Sequence, residues 1–501
     1  MKSQQNTSGE GELTIDHIRN FNGKYPKQLW SLFMIEMWER FCFYGMRGVL
    51  VIFMVDQLLL EEAKANLQYG AIQAFIYAFT FIGGIFADKI LGFKKSLVFG
   101  GIVMTIGNLI IAASPHDFFY IGITCSIIGT GFFKPNISSM VGELYHDDDA
   151  RRDAGYGMFY AGINIGGLLG GALCVYLGKY YSWNLCFLAA AIVMIIGLIT
   201  FFITKKQLGP IGNTPLANIT KSKRTISEIA VIVGSLLTMP LIFLMVKNTK
   251  YTDYFMYTIG AVAILYFVYE LWKLELVAKK KLISAAVFIV MYLIFNMIYE
   301  QSGGSLSLFA KDNLVDTLLF FHIDPNAINN SSNSFFIVIF SPIVGLLWIF
   351  LNKRKIEPNT ILKFGIGFLL LSLGFFMFYS LIYFVNDEGK SSLNLFTLTW
   401  LVITLGELCL GPIGMSAITK LSPKRLFGMM MGLWFLASAF GQFFAGKIGA
   451  QLSEANTGTT LMSKLEAYTN GYRELAVYAL IAGVVLIVLS PIIKRLMGEV
   501  K

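Results

Sequence analysis

Charge is scarce in this sequence. Only 14% of its 501 residues are Asp, Glu, Lys or Arg, against about 25% in a globular domain, whose folded surface must face water. That shortage excludes an ordinary soluble protein. Proline is scarce as well, at 12 residues, which excludes a proline-rich or disordered chain. The five cysteines (Cys42, Cys125, Cys174, Cys186, Cys409) form no C-x-x-C pair and lie within or at the ends of apolar segments. They read as small core residues rather than metal ligands or disulfide halves. No H-E-x-x-H occurs, and none of the four histidines (His17, His116, His146, His322) falls inside an apolar run, which argues against a metal-dependent intramembrane enzyme. The polar residues 1–29 are not followed by a short apolar region with a cleavage site, so no removable signal peptide is evident. No loop between spans exceeds roughly 25 residues, too few for a soluble catalytic domain.

What is abundant is apolar. Hydrophobic residues make up 55% of the chain, with 43 Phe and 48 Gly, and the mean hydropathy is +0.64. Apolar runs of about 20 residues, the length that crosses a hydrocarbon core of about 30 Å, recur from Trp30 onward. They lie near 30–59, 67–92, 95–114, 117–142, 153–178, 183–204, 225–247, 252–273, 281–310, 332–352, 361–386, 394–420, 425–451 and 472–494, fourteen spans in all. The chain reads as an all-α polytopic membrane protein.

The net charge of +9 would point to nucleic acid if the basic residues shared one solvated patch. They sit instead in short runs between spans, such as Lys94-Lys95, Lys205-Lys206, Lys279 to Lys281 and Lys353 to Lys355. With the N-terminus inside, about 28 of the 40 Lys and Arg become cytoplasmic, the expected bias, and both termini are expected in the cytoplasm. Six spans (30–204) precede a polar segment with Gly209, Pro210, Gly212 and Pro215, and six (281–494) follow Lys281. Residues 205–280 form a linker carrying two extra helices, and 1–29 and 495–501 form cytoplasmic tails. Two six-helix halves imply a two-bundle transporter with its site between them, near the bilayer midplane. No clear repeat relates the halves.

An ionisable side chain near mid-bilayer costs at least about 2.5–3.5 kcal/mol, so each one is a functional candidate. Glu36, Glu39, Arg40, Phe43, Tyr44 and Arg47 share one stripe of the first span. Two acids and two bases there exceed what helix packing requires. Lys134, Glu300 and Glu407 lie deep in later spans, whereas Glu143 sits near a helix end, where water can solvate it. Four deep acids against three deep bases leave one uncompensated negative charge, which one proton neutralises. With histidine absent from the spans, proton chemistry falls on these carboxylates, whose neutral form burial favours.

These residues carry a family resemblance. Glu36-x-x-Glu39-Arg40-Phe41-x-x-Tyr44-Gly45 resembles the E-x-x-E-R-F-x-Y-Y-G signature of the proton-dependent oligopeptide transporters of the major facilitator superfamily. The likeness continues through Gly83-Gly84-x-x-Ala87-Asp88-Lys89-x-Leu91-Gly92, Phe133-Lys134-x-Asn136, Phe159-Tyr160-x-x-Ile163-Asn164-x-Gly166, Glu300-Gln301, Ser341-Pro342, Gly406-Glu407 and Trp434-Phe435. It covers residues 36 to 435 in order, and bacterial members share the fourteen spans (six, two and six).

The resemblance implies proton-coupled import of di- and tripeptides across the bacterial inner membrane, with no cofactor, no obligatory protein partner and no enzymatic activity. It implies that Glu36, Glu39 and Arg40 couple protons, that Arg40 and Lys134 attract the peptide carboxylate, and that Glu407, Asn333 and Asn164 hold its amino end. It also implies that Tyr44, Tyr77, Tyr160 and Trp434 line the cavity, and that Arg47 and Glu300 pair across the outer gate, Arg47 within reach of substrate. Asp88 is expected to organise helix ends. The sequence departs from the pattern at Phe43, Asn296, Ser334 and Gly411, where tyrosine, tryptophan, proline and serine are usual; these changes bear on side-chain selectivity. The alternative is proton-coupled transport of another small anion or zwitterion such as nitrate or a peptide-like compound, although members of that kind often lose the first-span glutamates.

Overall fold

The computed structural model describes residues 13–146, 148–149, 151–455 and 460–498. The ends of the two expected tails, residues 1–12 and 499–501, thus lie outside the described residues. After a one-turn helix α1 (Ile15–Arg19), α2 (Lys27–Asp56) starts behind Pro26, whose fixed backbone suits a helix entry. The first half continues with α3 (Glu62–Phe86), α4 (Phe93–Ala113), α5 (Pro115–Glu143), α6 (Arg152–Tyr180) and α7 (Trp183–Thr204). The two intermediate spans are α8 (Lys221–Leu237) continued by α9 (Met239–Lys247), and α10 (Thr249–Trp272). The second half holds α11 (Leu276–Tyr299), α12 (Ser305–Asn313), α13 (Pro325–Lys353), α14 (Thr360–Ser380), α15 (Leu393–Leu408), α16 (Gly411–Leu421), α17 (Phe427–Glu454) and α18 (Leu461–Met497). A two-residue hairpin, β1 (Thr317–Leu318) with β2 (Phe321–His322), joins α12 to α13.

Among the described residues, twelve helical segments are long and apolar enough to cross a membrane. The polar helices α2 and α5 fall short of that hydropathy. Their 30 and 29 residues, at about 1.5 Å each, still reach across a bilayer, which completes fourteen. Three spans are interrupted where the sequence pattern shows continuous runs. Pro240 at the start of α9 breaks the seventh at Thr238. A 3₁₀ turn, Glu300–Gly303, separates α11 from α12, and Cys409-Leu410 followed by Pro412 separates α15 from α16. The second break matters most, because it puts Glu300 at a helix end.

Within the first half α2 packs on α6 and α7, and α5 on α3 and α4; within the second, α11 packs on α17, and α14 on α15 and α18. The halves meet along two seams, α3 with α17 and α6 with α13. The first seam is close because Gly70 and Gly446 face one another: a Cβ on Gly70 would lie 2.8 Å from the Gly446 Cα. Chain entry and exit share one face. Gln28 donates to the Gln207 carbonyl, and Gly498 lies against Lys281. We call this the terminal face and its opposite the far face.

Glu143 departs from the expectation of a solvated helix end. Its carboxylate accepts the Gly212 amide at 2.9 Å, while its carbonyl accepts from Arg19, so it ties α5 to the linker. Asp88 lies exposed in a π-helical turn (Ala87–Leu91) closed by Gly92 at φ +76°, a conformation that favours glycine. Among the described residues the Asp88 carboxylate accepts no hydrogen bond from a helix end.

Candidate functional site

Between the halves lies a cavity of ≈ 150 Å³, below the roughly 300–1,000 Å³ typical of drug-sized ligands and suited to a small solute. Its first-half wall comes from Tyr44 and Arg47 on α2, Tyr77 on α3, and Tyr160, Ile163 and Asn164 on α6. Its second-half wall comes from α11 and the turn after it (Tyr292, Phe295, Asn296, Tyr299, Glu300), with Asn333, Ile337, Glu407, Leu410 and Gly411.

Arg47 and Glu300 form an ion pair that joins the halves on the far side of the cavity. The same guanidinium donates to the Tyr69 hydroxyl at 2.8 Å and to Ser302 Oγ at 3.1 Å, and lies over the Tyr44 ring. The break after α11 makes this possible, because it turns Glu300 and Ser302 together towards α2. Glu407 is held by its own half: Asn333 Nδ2 donates to it at 2.7 Å and the Tyr299 hydroxyl at 3.0 Å. Asn164 donates to the Tyr160 carbonyl one turn earlier.

Arg40, Lys134 and Trp434 do not line this cavity. Arg40 is 1% exposed and occupied by its own helix, with Glu39 accepting from Nη2 at 2.6 Å and Glu36 lying 3.3 Å from Nε. Its guanidinium stacks over the Phe43 ring at 4.8 Å. Lys134 Nζ lies 4.6 Å from the centre of the Tyr77 ring and 6.0 Å from that of Phe43. Tyr77, the ring nearest Lys134, lines the cavity, whereas Phe43, the ring under Arg40, does not. Phe43, with no hydroxyl to offer, presents its face to the two charges. No ion pair between Lys134 and Glu407 occurs among the described residues. Trp434 stands behind Tyr292, stacked at 3.8 Å with the rings 10° from parallel. Glu36 Oε2 is buried without a hydrogen-bond partner. An unpaired buried oxygen is costly when charged, and a proton removes that cost.

Sequence reasoning missed most of the second-half wall. Tyr292, Phe295 and Tyr299 share a stripe with Asn296 and Glu300, at the three- and four-residue spacings that define one helix face. That aromatic and polar stripe in an apolar span was the available signal. Asn296 and Gly411, two of the departures from the family pattern, both line the cavity.

Comparison with known proteins follows the same lines. Residues 94–468 match the model of the POT family. The chain is 33% identical to an uncharacterised transporter of Bacillus subtilis, over 95% of this chain and 96% of that protein. It is 29% identical to dipeptide and tripeptide permease B of Xenorhabdus bovienii, covering 95% and 97% of the two chains. Among solved structures it is similar to a peptide transporter in complex with alafosfalin, with a TM-score of 0.83, 30% identity, and 97% and 100% of the two chains covered.

Proposed function

The chain belongs to the POT family, a transporter with the two-bundle major facilitator fold and not an enzyme, and on that premise we propose that it imports di- and tripeptides together with protons across a bacterial inner membrane. In this reading the terminal face is cytoplasmic and the halves expose the cavity alternately to the two sides. The names of its relatives, among them a dipeptide and tripeptide permease, support the substrate class.

The observation that carries the coupling is the α2 stripe. Glu36, with a buried and unpartnered oxygen, shares Arg40 with Glu39, and two turns further along the same helix Arg47 reaches Glu300 in the other half. A proton on Glu36 or Glu39 loosens the hold on Arg40 and frees its guanidinium to turn towards the cavity. Arg40 and Lys134 then draw the peptide carboxylate, while Glu407, with Asn333 and Asn164, takes the amino end. Tyr44, Tyr77 and Tyr160 form the walls, Trp434 backs the wall residue Tyr292, and Arg47 with Glu300 forms the outer gate and borders the substrate. Charge-assisted hydrogen bonds at both peptide ends are worth about 1.5–3 kcal/mol each, enough to hold many peptides without reading their side chains.

Uptake of radiolabelled dialanine by proteoliposomes, with and without an inward proton gradient, tests this. Gradient-driven accumulation is expected in the wild type. In Glu36→Gln accumulation should be lost while peptide exchange persists, and full accumulation in that variant overturns the coupling role. Blocking either peptide end should weaken competition against dialanine about tenfold or more, at about 1.4 kcal/mol per decade. N-acetyl-dialanine competing as well as dialanine would turn the reading towards another small anion or zwitterion.

A further inference from the structure

A second cavity, of ≈ 320 Å³, lies on the terminal face, well away from the first in its lining. Lys94 and Lys95 at the start of α4, Gly212 to Thr214 and Ala217 in the linker, and Arg224 in the first turn of α8 enclose it. The walls are built rather than incidental. Lys94 Nζ donates to the Gly209 carbonyl at 2.5 Å and to Asn213 Oδ1 at 3.0 Å. The Lys94 amide donates to the Gly212 carbonyl at 3.0 Å, and Thr214 Oγ1 donates to the Ile90 carbonyl at 2.7 Å. Lys95 donates to Glu228 at 2.6 Å.

Arg224 is the anomaly. Its Nε is shielded from solvent yet makes no hydrogen bond, and the nearest carboxylate oxygen, on Glu228, stands 3.9 Å away. Three cations thus face one carboxylate, which Lys95 already engages on both oxygens. The other nearby acid, Glu143, points at the Gly212 amide instead. Exposed Lys221 and Lys223, on the same turn as Arg224, add positive field.

The cavity also sits at a definite depth. Just beyond Arg224, α8 turns to exposed apolar residues, Ile226, Ile229 and Val233, and beyond Lys95, α4 does the same with Ile102, Ile106 and Leu109. Two helices that go from cations to lipid-facing apolar surface mark the level of the head groups. A planar guanidinium with free donors beside two ammonium groups matches phosphate oxygens, and basic pockets between helices at that level suit anionic head groups. We propose that this cavity binds the phosphate of an anionic glycerophospholipid, whose acyl chains continue along the apolar faces of α8 and α4. Such a lipid ties the linker, α4 and α8 together from the bilayer side.

The test uses the full chain in nanodiscs. Native mass spectrometry after release from bilayers containing phosphatidylglycerol should show retained lipid in the wild type and about tenfold less in Arg224→Gln. The Arg224 side chain makes no hydrogen bond among the described residues, so its replacement should spare the fold; Lys94→Gln with Arg224→Gln should abolish retention. Lys353→Gln with Lys355→Gln, which removes equal charge from an exposed turn, should leave retention at the wild-type level. Equal retention in wild type and Arg224→Gln, or equal loss in the Lys353/Lys355 control, overturns the site. In phosphatidylcholine nanodiscs, inorganic phosphate alone should not reproduce the stabilisation against heat that phosphatidylglycerol confers. If it does so fully, the lipid assignment falls.

Discussion

The two faces of the molecule hold its halves in different ways. On the far face, ion pairs cross directly from one half to the other. Arg47 meets Glu300, Lys311 of α12 meets Asp56 of α2, and Lys464 of α18 meets Glu62 of α3, while Lys179 of α6 meets Asp324 before α13 at 2.5 Å. Tyr180 and Tyr468 reinforce the last two through hydrogen bonds to Asp324 and Glu62. On the terminal face, some ion pairs stay within one half, as Arg151 with Asp149 and Lys363 with Glu357 do, and others tie a half to the helices between them. Lys95 of the first half meets Glu228 of α8, and Arg425 of the second meets Glu270 of α10. The far face is clasped across its seam, whereas the terminal face is braced around it. Contacts that cross the seam must break when the halves rock, and contacts that ride on one half need not. The structure is therefore of a state closed on the far side.

That contrast can be broken clasp by clasp. The largest effect belongs to Glu300→Ala. Arg47 and Glu300 are 14% and 6% exposed, and removing one partner of a buried pair costs about 3–5 kcal/mol. The closed state should lose about a hundredfold to several thousandfold in population, read as longer spin-label distances across the far mouth. Unchanged distances would mean that the seam closes without this pair. Lys464→Met comes next, because that ammonium meets both Glu62 and Asp312. These acids are partly exposed, so roughly a tenfold shift on the same distances is expected. A shift as large as that of Glu300→Ala would place the main clasp at α18 rather than at the cavity roof. Lys311→Met should do least. Its pair with Asp56 is 23% and 31% exposed, and such pairs contribute about 0–1 kcal/mol. Screening should erase its effect in high salt, and persistence there would show a less solvated contact than its exposure indicates.

Much of this was legible in the sequence, for a reason that can be named. Fourteen spans follow from run length, because a backbone in hydrocarbon must satisfy its hydrogen bonds internally and helices do so. The charged stripe of α2 was visible because four charges on one face of an apolar helix have no ordinary packing explanation. The aromatic stripe of α11 was overlooked because Tyr and Phe are also what a packed span contains. The break at Thr238 was hidden inside an apolar run, whereas the polar, glycine-rich stretch Glu300-Gln301-Ser302-Gly303-Gly304 marked the break after α11, although run length reads through it as one span.

The sequence by itself determined that the chain crosses a membrane many times and that Glu36, Glu39, Arg40 and Glu300 are buried, since both depend on local composition. Only the tertiary structure decided which of those groups meet. Arg47 and Glu300 are 253 residues apart in the chain, and no periodicity relates them. Spacing did bring Glu36 and Arg40 together, one turn apart on α2, but it could not tell that Lys134 faces the Tyr77 ring rather than open cavity. A helix pattern specifies a direction around its own axis. What lies in that direction depends on how the neighbouring helices pack.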